Sequence, residues 1–364
     1  MTIFFFIIIL SFLVLIHEWG HYIVAKIVGI HVEEFGIGYP PRLKKLFSRK
    51  GTLFSLNWLP FGGFVRLAGD DGETVEGSEE PFVEKEKLFR EKSKIQRLCV
   101  VAAGAVVNIL FGIFAFAALY MILGIPEQLN HPRIDRVIAD SPAALVRLQK
   151  DDTILRVNEK DITSSELFIT EIQLHRGKII SLDLERDNQV ITVVPYIRTE
   201  AETPQDQGSL GVSLIDVEWK RYPWYVMMGK GVWKGMQDSY AFSHQILQSL
   251  RGMVIQVAEK RTIPKDISGP IGIVHMAEKE KLFEQGPMAW LNFAGLLSIN
   301  LGVMNLLPIP ALDGGRGFFI FLEVFIGKVR RAKYEQYTNA FGMLALLILI
   351  VLISIKDVVA WIRP

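Results

Sequence analysis

The chain has little cysteine, little histidine and almost no net charge. Of its 364 residues only Cys99 is a cysteine, which excludes an internal disulfide, and no cysteine and histidine cluster has zinc-finger spacing. A formal net charge of +1 gives no electrostatic case for nucleic-acid binding, so we expect no nucleic-acid partner. The apolar run from Met1 to Ile16 lacks a basic start and a small-residue cleavage site. It is therefore predicted to be a retained membrane span and not a signal peptide.

Hydrophobic residues are abundant, at 50% of the chain, with a mean hydropathy of +0.28. Charged residues still make up 22%, so membrane and aqueous parts must coexist. A helix needs about 20 apolar residues to cross a bilayer. Four segments are long enough and are predicted to be spans: Thr2 to Ile27, Leu98 to Ile125, Met288 to Ala311 and Asn339 to Ile355.

Lysine and arginine are dense between the first two spans and between the last two. Short loops rich in these residues stay on the cytoplasmic side. Both loops are therefore predicted to be cytoplasmic, with both termini and the long stretch from Gln128 to Pro287 outside.

That long stretch has the pattern of a small mixed α/β domain. Helices are predicted after the N-cap pair Ser141-Pro142 and over Ser165 to His175. Short strands are predicted at Arg133 to Ile138, Thr153 to Val157, Ile179 to Leu184 and Val190 to Val194.

Two further segments follow this domain. The polar run Thr199 to Ser209 is typical of a linker. Tyr222 to Lys260 mixes aromatic residues with lysine and glutamine, which fits an amphipathic helix at the membrane interface or, equally well, a packed surface helix.

The segment from Glu33 to Leu67 is punctuated by glycines, and its apolar pattern favours short strands over a span. Sheet backbone beside a membrane site must be buried in protein or border a water-filled cavity. An edge strand there can pair with an unfolded substrate segment.

His17-Glu18-Trp19-Gly20-His21 is an H-E-x-x-H motif at the end of the first apolar run. On a helix both imidazoles project from one face and can bind one Zn²⁺, with Glu18 beside them as a base. The alternative is two helix-end histidines at the membrane interface. The metal-binding interpretation is favoured because ionisable residues within a span usually mark a functional site.

A catalytic zinc usually has three protein ligands and an open position for water. Asp313 is the only carboxylate of the third apolar segment, in Asn305-Leu-Leu-Pro-Ile-Pro-Ala-Leu-Asp-Gly-Gly315, which two prolines break. Both it and His17 lie toward the inner ends of their spans. We therefore expect it to be the third ligand, the alternative being an ordinary helix-end carboxylate.

These residues predict a zinc hydrolase. Zinc lowers the pKa of a bound water toward about 7, and Glu18 is expected to take its proton during attack on a peptide carbonyl and to return it to the leaving amine. Asn300 and Asn305 lie on the segment that carries Asp313 and are candidates for binding the substrate backbone or the oxyanion. Interhelical hydrogen bonding is their alternative role.

Several motifs in this order resemble the site-2 protease family of intramembrane zinc metalloproteases, in its bacterial RseP-like branch. They are His17-Glu-Trp-Gly-His21, Pro60-Phe-Gly-Gly-Phe-Val65, Ala103-Gly-Ala-Val-Val-Asn108, Ser268-Gly-Pro-Ile-Gly-Ile273 and Asn300 through Gly315. The resemblance implies a polytopic α-helical membrane protein with four transmembrane helices, a membrane-reentrant β-hairpin and an inserted α/β PDZ-like domain that screens substrates by size.

The resemblance also assigns roles. His17, His21 and Asp313 bind Zn²⁺, Glu18 is catalytic, and Asn300 and Asn305 handle substrate. The hairpin residues Phe61, Gly62, Gly63 and Phe64 hold substrate extended. The substrate is a single-span membrane protein, an anti-sigma factor already trimmed by a site-1-type protease, or a remnant signal peptide. The location is the bacterial cytoplasmic (inner) membrane, in contact with lipid, with the PDZ-like domain periplasmic and the active site toward the cytoplasm.

The predicted organisation has seven parts: a first span with the H-E-x-x-H motif (1–29), a β-rich cytoplasmic or re-entrant loop (30–96), a second span (97–125), the PDZ-like domain (128–198), a linker with amphipathic helices (199–287), a third span with Asp313 (288–315) and a fourth span (336–360).

The chain departs from the family in three places. Only one PDZ-like domain fits, Lys150-Asp151-Asp152 replaces a Pro-Gly-Asp turn, and Arg316 follows Asp-Gly-Gly where histidine is common. Two rival functions are a metal-binding membrane scaffold or receptor that binds protein tails, and a metal transporter. A structural zinc site is normally closed by a fourth protein ligand, and none is evident in the sequence, so the scaffold is less favoured. A transporter predicts polar ligands spread over several spans, whereas the candidate ligands here cluster at one depth.

Overall fold

The computed structural model describes residues 2–70, 84–204, 207–260 and 269–362. It contains two compact units, one formed by Met1–Ile122 with Met228–Pro364 and the other by Leu123–Met227. In chain order the helices are α1 (Thr2–Ile27), α2 (Lys94–Leu123), α3 (Pro142–Leu145), α4 (Ser165–Leu174), α5 (Trp224–Lys260), α6 (Pro270–Lys279), α7 (Pro287–Leu306), α8 (Asp313–Ile326) and α9 (Lys328–Ile362). The strands are β1 (Val32–Arg49), β2 (Thr52–Leu67), β3 (Ile125–Val137), β4 (Thr153–Val157), β5 (Lys160–Asp161), β6 (Leu182–Arg186), β7 (Gln189–Val193) and β8 (Val212–Lys220).

Four helices, α1, α2, α7 and α9, are long and apolar enough to cross a membrane. The prediction of four spans is confirmed. Helix α1 has the predicted bounds, whereas α2 and α9 begin earlier than expected, at Lys94 and Lys328. Helix α2 is the most enclosed of the four and α9 the most exposed.

The predicted third span is wrong at its end. It was expected to run to Ala311, but α7 ends at Leu306 and a separate helix, α8, begins at Asp313. Pro308 and Pro310 have no backbone N–H and cannot continue the ladder of α7. The chain turns between the two helices instead.

Strands β1 and β2 form an antiparallel hairpin that folds back on itself. Each strand bends, so that β1 and β2 each contribute two segments to the sheet. The four segments lie side by side in the order 42–49, 52–57, 32–37 and 63–67. The tip lies at the end of α1, where Lys26 Nζ donates to the carbonyl of Lys50 at 3.2 Å. The opposite end reaches Ser11, whose hydroxyl lies 3.5 Å from the carbonyl of Pro60. Since Ser11 and Lys26 are about 22 Å apart along the helix, the hairpin runs alongside much of the first span.

The inserted unit is a sheet of order β7-β6-β4-β3-β8, with β5 on β4. Its core includes Ile134, Ile154 and Leu184, each fully buried. The hydroxyl of Ser141 caps α3, as expected. Two predicted strands are displaced: Ile179 to Leu184 became β6 and Val190 to Val194 became β7.

The predicted boundary of this domain at residue 198 is wrong. Strand β8 lies in the segment assigned to a linker with helices, and it pairs with β3 from Ile125 opposite Lys220 to Val137 opposite Val212. The preceding polar run, 199–209, forms no helix or strand in its described residues. It connects two parts of one sheet.

Helix α5 packs against the second span. The backbone at Gly235 comes so close to α2 that an added Cβ would lie 2.9 Å from the carbonyl of Ile113. Asp238 accepts hydrogen bonds from Tyr120 of α2 and from Lys234. These contacts favour the packed-helix interpretation of this segment for its part beyond Met228.

Candidate active site

The donor cluster is formed by one face of α1 and the first residue of α8. Nε2 of His17 lies 2.8 Å from Oδ2 of Asp313 and 3.1 Å from Nε2 of His21. Nε2 of His21 lies 3.3 Å from the same Oδ2. The side chain of His17 is 8% exposed, that of His21 11% and that of Asp313 19%. Their donor atoms therefore face one small space that is screened from solvent and could hold a metal ion.

Asp313 reaches the histidines because the first turn of α8 packs tightly against the preceding break. A Cβ on Gly314 would lie 2.1 Å from the carbonyl oxygen of Leu307, and one on Gly315 would lie 2.3 Å from that of Ile309. Both contacts are with backbone, which cannot move aside cheaply. The two glycines after Asp313 are thus required by packing.

Gly104 of α2 lies directly over the two imidazoles. A Cβ at this position would come within 2.5 Å of Nε2 of His21 and 2.6 Å of Nε2 of His17. The absent side chain leaves the room that an ion between the two nitrogens needs. Sequence reasoning did not select Gly104 as a site residue, although it stands in the motif Ala103-Gly-Ala in the second span.

The groups that contact Nδ1 of His17 and of His21 are suited to histidines that bind a metal ion through Nε2. A ring nitrogen that binds metal needs its lone pair, so the proton must sit on Nδ1. Nδ1 of His21 lies 2.7 Å from the carbonyl oxygen of Val100, which accepts that proton. Nδ1 of His17 lies 3.3 Å from Nδ2 of Asn108, and Oδ1 of this buried amide has no hydrogen-bond partner in the described part of the chain.

A 180° turn of the Asn108 amide would let Oδ1 accept the Nδ1 proton of His17. Both Nε2 atoms would then carry lone pairs toward Asp313. Two imidazoles and one carboxylate, with a fourth position open, are the donor set of a catalytic zinc. The orphaned amide oxygen thus fits the presence of Zn²⁺ in this site.

Replacing Asn108 by leucine is expected to weaken zinc binding by about 10- to 100-fold, the usual effect of removing a group that orients a metal ligand. Asn108→Asp should retain affinity, because a carboxylate also accepts the Nδ1 proton. Competition with a chromogenic chelator measures both, and Asn292→Leu, at an exposed position of the third span, is the matched control. Wild-type affinity in Asn108→Leu would refute the role.

Glu18 lies next to the donor cluster but is not one of its three donors. The backbone N–H of Val65 donates a hydrogen bond to its carboxylate. A Cβ on Gly63 would lie 3.7 Å from Cγ of Glu18 and 2.8 Å from the carbonyl of Gly36. The strand segment 63–67 therefore passes beside Glu18, and glycine at position 63 permits the close approach.

The other predicted site residues fall into two groups. In the hairpin, Phe61 is exposed, Gly62 has a φ of 65° and lies against the first span, and Phe64 packs its ring over Gly36. On α7, Asn300 and Asn305 are partly buried, and neither side chain hydrogen-bonds to any residue within the described ranges. The structure thus brings the hairpin to Glu18, and leaves both asparagine amides available.

A comparison with known protein families agrees with the fold, the membrane helices and the H-E-x-x-H site described above. The model for peptidase family M50 matches residues 5–349. The chain belongs to peptidase family M50. This is the site-2 protease family, so the protein is a zinc metalloprotease with membrane-spanning helices, as the sequence motifs predicted.

M50 relatives match over almost their whole length. A Clostridium perfringens protein, CPE1693, carries the name zinc metalloprotease and is 33% identical, with 99% of each chain covered. The regulator of sigma-W protease RasP of Bacillus subtilis is 24% identical, with 98% of each chain covered. Among solved structures, the PDZ domain of an SdrC-like protein from Listeria monocytogenes matches 25% of this chain and 93% of its own, at 20% identity and a TM-score of 0.22.

Proposed function

We propose that this M50 peptidase is an intramembrane endopeptidase that cleaves the transmembrane segments of single-span membrane proteins. In this proposal His17, His21 and Asp313 hold Zn²⁺ and Glu18 is the general base. The observation that carries it is the position of the donor cluster. Its two histidines lie in the first span, next to Glu18, which is outside the donor cluster, and next to strand segment 63–67, which forms one edge of the hairpin sheet in the described part of the chain.

Bound zinc supplies a Lewis acid and a water of lowered pKa. The residues of the chain do the rest. Glu18 takes a proton at its carboxylate and returns it to the leaving amine nitrogen. Asn300 or Asn305, whose amides have no hydrogen-bond partner among the described residues, stabilises the oxyanion or holds substrate backbone.

The hairpin supports an extended substrate. Among the described residues, segment 63–67 is an edge of the four-segment sheet, and the N–H of Val65 donates to Glu18. A peptide bond is accessible to hydrolysis only when its helix is unwound, since a helix uses its own N–H and carbonyl groups. Strand addition beside Val65 would hold the unwound segment with its backbone satisfied. Phe61 and Phe64, near the same edge, are positioned to contact its side chains.

The proposed substrate class is supported by the position of the site and by the name of one relative. A site that lies within the first span suits a segment that arrives through the membrane. The name of the Bacillus subtilis relative links that protein to sigma-W regulation. We therefore infer an anti-sigma factor, or a remnant signal peptide, first trimmed by a site-1-type protease. Lys26 is at the C-terminal end of α1, and Lys94 and Lys328 are at the N-terminal ends of α2 and α9. Alternation of the spans puts these three ends on one side, which favours the bacterial inner membrane with this side cytoplasmic and residues 125–220 periplasmic.

The test is cleavage of a single-span protein with a short outer part by the full chain in detergent. Mass spectrometry should place the cut inside the apolar segment, and o-phenanthroline should abolish it until zinc is added. Cleavage only in soluble loops, or zinc binding without cleavage of any trimmed single-span substrate, would contradict the proposal.

A second arm tests size screening by the inserted domain. Ile125 and Lys220 are paired neighbours in β3 and β8, so residues 126–219 can be replaced by a short Gly-Ser link. The shortened protein should cut the small substrate at the wild-type rate and should also cut one with a bulky folded outer domain. Unchanged rejection of the bulky substrate would rule out screening by this domain.

A further inference from the structure

Six charged side chains form a continuous network beside the donor cluster. Three are arginines and three are acids, so the network is neutral as a whole. Its pairs in order are Arg97 with Glu323 at 2.8 Å, Glu323 with Arg331 at 3.4 Å, Arg331 with Glu335 at 3.1 Å, Glu335 with Arg316 at 3.9 Å, and Arg316 with Asp70 in direct hydrogen-bond contact.

The network holds α8 at two points. Arg316 lies three residues after Asp313, one helical turn away, and its guanidinium also lies 5.8 Å from the ring centre of Phe89. Glu323, two turns further on, accepts two hydrogen bonds from Arg97 of α2. The side chains of Arg97 and Glu323 are each 2% exposed. The hydrogen bonds from Arg97 lower the pKa of the Glu323 carboxyl, which favours its carboxylate form.

The other end of the network reaches the hairpin. Asp70 lies three residues after Leu67, the last residue of β2, and its N–H donates to the carbonyl of Leu67 at 3.3 Å. The preceding residues of β2 contact Glu18 through Val65. Arg316 therefore connects the turn that carries Asp313 with the end of the strand that lies beside Glu18.

Resting on the proposed function, we propose that Arg316 is a positioning residue, which through Asp70 fixes the zinc ligand Asp313 relative to the substrate-binding strand. A buried ion pair adds little to stability compared with apolar packing. The Arg316 guanidinium does constrain geometry, because a hydrogen bond to Asp70, an ion pair with Glu335 and the ring of Phe89 together fix its orientation. Removing one partner leaves the other charge buried and unpaired, so each single variant should lose melting temperature as well as zinc affinity. In the double variant no charge is left unpaired, so the melting temperature should recover while zinc affinity and substrate KM stay impaired.

The experiment is a double-mutant cycle on the full chain in detergent, with Arg316→Met, Asp70→Asn and both together. Zinc affinity by chelator competition should fall about 10-fold in each, the lower limit for groups that orient ligands. The double variant should be no weaker than either single one, since both changes break the same contact. Arg316→Lys, which retains charge without the fork, should recover part of the affinity.

Arg330→Met, which removes an exposed arginine of α9, is the control and should match wild type. Zinc affinity of Arg316→Met within twofold of wild type, or additive losses in the double variant, would overturn the inference. Recovery of zinc affinity together with the melting temperature in the double variant would reduce Arg316 to a purely structural role. Zinc competition does not depend on cleavage, so a wild-type chain that binds zinc but cuts no membrane substrate would refute only the proposed function.

Discussion

Glu18→Gln is expected to bind zinc like wild type and to hydrolyse substrate about 10³-fold more slowly, within the range attributed to a general base. Glu18 is outside the three-atom donor cluster, so its charge is not needed to hold the ion. Glutamine has the same length and its carbonyl still accepts the N–H of Val65. What it lacks is a basic oxygen. Zinc per protein by mass spectrometry and initial cleavage rates in detergent measure the two effects separately.

The control is Glu86→Gln, at an exposed glutamate outside the site, which should alter neither quantity. Wild-type cleavage by Glu18→Gln would show that another group accepts the proton. Loss of zinc from the variant would instead make Glu18 a ligand, and the proposed division of roles would be wrong.

Gly104→Ala is expected to lose zinc almost completely, and cleavage with it. The added methyl carbon would lie 2.5 and 2.6 Å from the two Nε2 atoms, in the space that an ion bound by both would occupy. Zinc needs about 2.0–2.1 Å to each nitrogen. Alanine is favoured over glycine in a helix by about 1 kcal/mol, so the local propensity of α2 rises while the site is blocked. The close contacts with the two buried rings oppose this gain, so the melting temperature is measured beside the zinc content to show that the variant is folded.

Gly317→Ala is the matched control in α8. Its added Cβ would meet Leu98 and Val101 at 3.7 and 3.9 Å, which are ordinary contacts, so zinc content should not change. Full zinc occupancy in Gly104→Ala would mean that the ion does not sit between His17 and His21.

The catalytic motif was predictable from sequence because its geometry is local. His21 follows His17 by four positions, and a helix puts residues with that spacing on one face. Asp313 could be selected as well, because it is the only carboxylate in a segment that prolines break. The contact of these three side chains depends on the tertiary structure. The sequence indicates only the depth of each residue in its span, which does not show that they meet.

Gly104 and Asn108 could not be selected in the same way. Their importance depends on where α2 crosses α1, and that crossing is set by contacts such as the approach of Gly20 to the carbonyl of Ala103. In a run of small and apolar residues nothing marks one glycine as lying over a donor pair. The Ala103-Gly-Ala stretch indicates close helix packing, but it does not indicate which helix packs against it.

Strand β8 was missed because a polar run of linker composition precedes it. A strand at the edge of a sheet alternates weakly, and the one in 212–220 is only partly buried. Its partner β3 lies about 80 residues earlier in the chain, and such distant pairing has no local signature. The separate helix α8 was missed since its apolar residues continue those of the predicted third span.

The pairing of Ile125 with Lys220 means that the inserted domain leaves and rejoins the chain at one place. Such an insertion behaves as a module: duplication, replacement or loss of the cassette alters the distance between its two ends very little. Mutations that reshape it are thereby uncoupled from the residues that bind the metal. Under the proposed function, substrate choice can therefore diverge between relatives while the sequence of the donor cluster stays the same.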